Sequence, residues 1–235
     1  IVFSGAGAAA IASANHLVKI GVPREHIWMC DIKGLVYRGR KEEMFAEKEV
    51  FAQGENPGNL SDTLEGADML IGLSAANIVT AEMLSRMNQS PLIFAMANPD
   101  PEIKFELAKQ ARPDAIIGTG RSDYPNQINN LLGFPYIFRG ALDVRARAIN
   151  DEMKIAASNA LSQLAKEPVP PAVLQAYNLD HLEYGAEYIV PKPLDKRVCL
   201  WEAPAVARAA MQSGVSRIAL DLDGYAAKLE ERLNK

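Results

Sequence analysis

The stretch Ile1-Val2-Phe3-Ser4-Gly5-Ala6-Gly7-Ala8-Ala9-Ala10-Ile11-Ala12 decides the fold. Its three leading apolar residues read as the end of a buried strand, Gly5 and Gly7 as a tight turn, and the alanine-rich run as the opening of a helix. Gly5 permits the sharp turn, Gly7 lets the backbone approach a diphosphate, and Ala10 takes the third small position, where helix packs on strand. The helix start presents free N–H groups and the positive end of its dipole to an anion. Glycine spacing alone is a weak signal. It gains weight from Asp31, which ends the apolar run Ile27-Trp28-Met29-Cys30 and lies 24 positions after Gly7, near the ~20 expected of a carboxylate that holds a ribose.

Downstream, the spacing predicts helices over 8–20, 41–53, 61–66, 80–87 and 101–110, the last capped by Asp100 with Pro101 in its first turn. Residues 33–40 read as a basic loop. Short apolar strands are expected at Met69–Leu73, Leu92–Ala97 and Ala115–Gly118. Such alternation predicts an α/β fold, a Rossmann-like doubly wound parallel sheet. Ligands of such sheets bind outside the carboxyl ends of the strands. That rule gathers Gly5, Asp31, Ser74, Asn98 and the loop after Gly118. From Asp143 the character changes. One long helix is expected over 144–166, broken by Pro168, Pro170 and Pro171, with an extended run over 188–193 and helices over 203–213 and 222–233. The expected organisation is a nucleotide-binding domain at 1–143 and a C-terminal helical appendage at 144–235, packing on that domain and on an absent N-terminal one.

Composition is that of a globular protein, 49% hydrophobic and 23% charged. The net charge of −4, without a basic run, argues against nucleic acid. No apolar stretch approaches the ~20 residues of a membrane span. The two cysteines, Cys30 and Cys199, have no metal or redox spacing and fit reduced core positions of a cytoplasmic protein.

The loop from Gly118 to Asn130 carries three asparagines, a glutamine and an arginine beside a strand end, and amides can hold a carboxylate or carboxamide without adding charge. With Asp100 assigned to the cap, Asn98 is left as a ligand contact. Lys33, Arg38, Arg40, Lys41 and Lys48 follow the second strand. They suit a 2′-phosphate, or, beside Glu42, Glu43, Glu47 and Glu49, a solvated face. Tyr188 and Lys192 have the Y-x-x-x-K spacing of short-chain dehydrogenases, but Pro191 between them forbids the shared helix face that motif needs. His16, His26 and His181 are scattered, and Asp221-Leu222-Asp223-Gly224 reads as a helix cap rather than a calcium loop.

With these segments placed, the chain resembles the cofactor-binding domain of malic enzyme, in particular the bacterial NADP-dependent type. The resemblance is carried by Gly5–Ala9, by Asp31 with Lys33-Gly34, by Ala97-Asn98-Pro99, and most specifically by the run from Thr119 to Gln127 and on through Asn129-Asn130 to Phe138–Val144. Glu187–Pro193 and Ala203–Ala207 extend it. It implies oxidative decarboxylation of malate to pyruvate and CO2, with NAD or NADP and Mg²⁺ or Mn²⁺. Gly5, Ala6, Gly7, Ala8 and Ala9 would cradle the pyrophosphate, Asp31 and Lys33 the adenosine end, and Ser74 and Asn98 the cofactor. Asn98, Asn129 and Asn130 would contact malate and the nicotinamide end. It also implies a homodimer or higher homo-oligomer, and a catalytic Tyr, a Lys base and acidic metal ligands upstream of the glycine motif. The sequence opens inside a strand without Met, so the expectation is a piece of a longer chain, with no catalytic and no metal residue of its own, inactive alone. Asn77 stands where the family often has glycine. A dinucleotide-binding regulatory module and another hydroxy- or amino-acid dehydrogenase are the alternative readings.

Overall fold

The computed structural model describes residues 1–233. Two compact units divide at Gln127/Ile128.

The first unit (Ile1–Gln127) is built on a six-stranded sheet. Its strands are β1 (Val2–Ser4), β2 (Trp28–Asp31), β3 (Gly34–Leu35), β4 (Met69–Gly72), β5 (Leu92–Ala95) and β6 (Ile116–Thr119), in the order β3-β2-β1-β4-β5-β6. All pairs are parallel except β2 with β3. Phe3 stands beside Met29 and Ile71 in register. The period of two along the strands sends Val2, Leu70, Ile93 and Ile117 to one buried cluster and Phe3, Met29 and Ile71 to the other. Both faces are thus covered, as a parallel sheet requires. Helices α1 (Ala8–Lys19), α2 (Ala46–Glu49), α3 (Leu60–Thr63), α4 (Ala81–Ser85) and α5 (Phe105–Ala111) complete the unit. Thr80 caps α4 through Met83 N–H.

Several expected elements shift. Residues 33–40 are not a simple loop, because Gly34–Leu35 pairs antiparallel with β2 as an edge strand. The helix expected over 41–53 shrinks to α2. That expected from Asp100 begins only at Phe105, with Lys104 at its cap and no side-chain capping bond. The segment before α5 packs instead along the chain after β4: Asn77 N–H donates to Pro101 O and Val79 N–H to Glu102 O.

The second unit (Ile128–Lys235) carries helices α6 (Phe134–Asp143), α7 (Asp151–Leu164), α8 (Pro171–Ala176), α9 (Arg197–Gln212) and α10 (Leu222–Leu233), and α9 packs against α6, α7 and α10. Gly140 is where α6 crosses α9, since a Cβ there would stand 2.5 Å from Ala203 O. That crossing places α6 with the helical unit, so the divide falls earlier than the expected 143/144. The single helix expected over 144–166 is interrupted as well. Val144–Asn150 is a connector, and α7 starts only where the Asn150 side chain accepts Met153 N–H. Asp143 joins α6 to α10 by accepting from Tyr225 Oη at 2.7 Å and by pairing with Arg139 on its own helix. Tyr188 and Lys192 lie outside any helix.

Glu202 of α9 is fully buried, and neither carboxyl oxygen has a hydrogen-bond partner. Burial pushes its pKa up to about 8. The folded state therefore holds the proton more tightly than the unfolded chain does. Stability falls as pH rises from the ordinary carboxylate range towards 8 and then levels off. Glu202→Gln should match the wild-type thermal midpoint near pH 5 and exceed it by several degrees at pH 8. A constant difference across that range in thermal unfolding would contradict this.

Candidate functional site: the carboxyl edge of the sheet

Strand order reverses between β1 and β4, and at such a switch point sheets of this kind bind ligands in the crevice outside the carboxyl ends of their strands. Gly5 makes the turn with φ +114°, and a Cβ on it would meet Leu73 O at 2.5 Å. Its N–H is held by Cys30 O at 2.7 Å. Glycine is obligatory at this position for the chain's own sake. Gly7 differs. Its φ is −86°, and a Cβ there would meet no protein atom within 4 Å. Gly7 caps α1 without a side-chain bond, and no acidic residue occupies the first helical turn. The open space over Gly7 and the uncapped amide groups of Ala8 and Ala9 together fit a diphosphate. Ala6 and Ala10 are buried beneath them.

Asp31 ends β2 as expected, but it does not stand alone. Its Oδ2 accepts from Arg40 Nη2 at 2.5 Å and from Lys48 Nζ at 2.8 Å, and its Oδ1 accepts from Lys33 N–H. Arg40 and Lys48 are each only 5% exposed. Arg40 also donates to the carbonyls of Gly34, Leu35 and Glu42, and so clamps the β2–β3 hairpin. Burial alone would raise the Asp31 pKa, but the bonds from Arg40, Lys48 and Lys33 outweigh it and hold the carboxyl below its ordinary value. The basic set therefore divides. Arg40 and Lys48 form a buried group of three with Asp31 rather than a solvated face, while Arg38 pairs with Glu55 at the surface.

Ser74 and Asn98 are exposed at the ends of β4 and β5, so the first unit by itself gathers them with Gly7, Ala8 and Ala9 along one sheet edge. Asn98 gains this place without the reason the sequence offered for it, since Asp100 caps no helix. Beneath them lies a residue that sequence reading missed. Glu102 is fully buried and accepts from Ser74 N–H at 2.8 Å, Ser74 Oγ at 3.2 Å and Ala97 N–H at 3.0 Å. As an apparent first-turn acid of a helix, it carried no signal. The only hint was Gly72, where a Cβ would stand 2.4 Å from Glu102 Cδ. Asn77 takes φ 58°, a left-handed conformation that asparagine tolerates as glycine does, so the departure at that position keeps the turn.

The amide-rich loop serves more internal bonds than expected. Asn126 is buried and donates to Ile117 O. Gln127 is buried and bridges to Thr119. Arg121 pairs with Asp123, and Tyr124 donates to Glu106 while stacking on Phe105. In the second unit, Asn129 Oδ1 accepts Leu131 N–H as a cap, and Asn130 is exposed. Among the described residues no group of three or more His, Cys, Asp or Glu side chains could hold a metal ion.

A family model described as the NAD-binding domain of malic enzyme matches residues 1–175. The chain belongs to this malic enzyme domain family. Among curated malic enzymes, a probable NADP-dependent one of Rickettsia prowazekii is 52% identical over 235 residues, and an NADP-dependent one of Escherichia coli is 51% identical over 237. The alignments take in the whole of this chain and 31% of each relative, so the chain spans about a third of their length. A Halomonas elongata NADP-dependent malic enzyme is 52% identical over 217 residues, 92% of this chain and 51% of its own length. Among solved malic enzymes, that of Entamoeba histolytica superposes with TM-score 0.85 at 34% identity, over 99% of this chain and 47% of that one. The Pyrococcus horikoshii enzyme gives 0.83 at 35%, over 99% and 53%.

The two glycines of this malic enzyme domain should separate in solution. Gly7→Ala should leave the thermal midpoint within a few degrees and weaken calorimetric binding of NADP at least tenfold. Gly5→Ala should destabilise the fold itself by about 2 kcal/mol or more, from backbone strain and the Leu73 clash. Equal thermal effects of the two would contradict the distinction.

Proposed function

We propose that this chain is the NADP-binding part of a malic enzyme that converts malate to pyruvate and CO2. The observation that carries the reading is the open cradle over Gly7 at the uncapped start of α1, within a chain of the malic enzyme family. The dinucleotide, held by the backbone of Gly5–Ala9, would supply the acceptor for the hydride from C2 of malate. With the C2 hydroxyl proton passed to a base, the C4 carboxylate, β to the new C2 carbonyl, would leave as CO2, and the resulting enolate would become pyruvate on protonation. In this assignment Gly5, Ala6, Gly7, Ala8 and Ala9 hold the diphosphate by backbone N–H groups. Asp31 and Lys33 face the adenosine ribose. Ser74 and Asn98 border the reactive end of the cofactor, and Asn98, Asn129 and Asn130 offer neutral amides to the substrate carboxylate and the nicotinamide.

NADP is preferred over NAD because two buried cations meet one carboxylate at the end of β2, leaving net positive charge where a 2′-phosphate would lie. Reduced, buried Cys30 and Cys199 fit a cytoplasmic setting, and no helix among the described residues is long and apolar enough to cross a membrane. The family also points to a homo-oligomer.

The full-length protein, given malate, Mg²⁺ and NADP, should produce absorbance at 340 nm and stoichiometric pyruvate. No malate-dependent reduction with either NADP or NAD would refute the reading. Lys48→Ala should shift the NADP/NAD ratio of kcat/KM towards NAD by about tenfold, through the lost charge. An unchanged ratio would refute the charge argument.

A further inference from the structure

We propose that Glu102 is a positioning residue of this site: one buried carboxylate ties the loop after β4 to the loop after β5 and so holds Ser74 and Asn98 at the reactive end of the cofactor. The inference rests on the function proposed above and concerns a residue to which that function gives no role.

Three observations on the first unit support it. The geometry is bidentate across two loops: Oε1 serves Ser74 through both its N–H and its hydroxyl, and Oε2 serves Ala97 N–H, the residue directly before Asn98. The contact reaches a third strand, because Ser74 Oγ lies 2.8 Å from Ser4 Oγ, itself buried at the end of β1 just before Gly5. With Ser74 donating to Glu102, the proton between the serines must come from Ser4, which gives one direction to the chain Ser4–Ser74–Glu102. Finally, the protein makes room for this side chain at the cost of another, since only glycine at position 72 leaves space for the carboxyl group.

A carboxylate is the group this place demands. All its partners are donors, and an ionised carboxyl is an acceptor at both oxygens. Glutamine has the same shape but one oxygen. If that oxygen keeps Ser74, the amide NH2 faces Ala97 N–H, donor against donor, and the Asn98 loop is released. Glu102→Gln is therefore a lesion aimed at the β5 loop, while Asp31 at the opposite end of the crevice is untouched. Gly72→Ala reaches the same contact by another route, displacing the carboxylate while leaving Glu102 in the chain.

The test compares the two variants with wild type in the full-length protein. ADP-ribose, which lacks the nicotinamide and the 2′-phosphate of NADP, reports the adenosine end and the diphosphate. Malate-dependent NADP reduction reports the reactive end. In either variant that folds, ADP-ribose affinity should stay within about twofold of wild type, while kcat falls at least tenfold, more than KM for NADP changes. Retention of kcat within twofold overturns the proposal. So does a parallel loss of ADP-ribose affinity and kcat, since that marks a general loss of structure, and so does failure of both variants to fold. If wild type itself neither binds ADP-ribose nor oxidises malate, the proposed function fails first, a result distinct from a variant-only effect.

Discussion

One turn constrains the first unit more than any other feature. At Gly5 the chain leaves β1 with its N–H fixed to Cys30 O on one side and its α-carbon pressed against the Leu73 carbonyl on the other. The turn is thus locked to both neighbouring strands at the point where strand order reverses. A side chain would collide with backbone, which cannot yield as a flexible side chain can. Because the turn is locked, the start of α1 is fixed, and its free amide groups face the crevice rather than a partner within the protein. The fold and the open, uncapped start of α1 are consequences of the same close approach.

Around that crevice the protein deals with buried charge in two ways. Asp31 is matched by two cations and a backbone N–H, and Glu102 by backbone and hydroxyl donors alone. Each carboxyl is satisfied, and each joins segments distant in sequence. Asp31 holds the β2–β3 hairpin to the chain around α2, and Glu102 holds the ends of β4 and β5. Glu202 in the helical unit is the opposite case, a buried carboxyl without partners that stays neutral until mildly alkaline pH. Hydrogen-bond partners thus separate the two carboxyls that join loops of the first unit from Glu202, whose oxygens have none.

The sheet and the glycine turn into α1 were legible because they depend on local rules: apolar runs of strand length, glycine where a turn needs it, and an acid at a strand end. The edge strand β3 was not, since Gly34–Leu35 is too short to show a period. The expected cap at Asp100 failed for a related reason. The segment from Pro99 to Lys104 is held by contacts with the chain around residues 77–79, and a propensity rule sees only neighbours in sequence. The roles of Arg40, Lys48 and Glu102 lay beyond reach because pairing across 9, 17 and 28 positions leaves no periodic trace. The amide-rich loop is unusual in composition, yet Asn126 and Gln127 serve β6 itself. Gly140, part of the most family-specific block, owes its glycine to a helix crossing and not to a ligand.

The space above Gly7 is proposed to receive a diphosphate. A crystal structure of the full-length protein with NADP bound tests it most directly. Diphosphate oxygens are expected within hydrogen-bond distance of the N–H groups of Ala8 and Ala9, with the adenosine ribose beside Asp31. A dinucleotide bound with its diphosphate anywhere else, and the Gly7 cradle left to water, would contradict it.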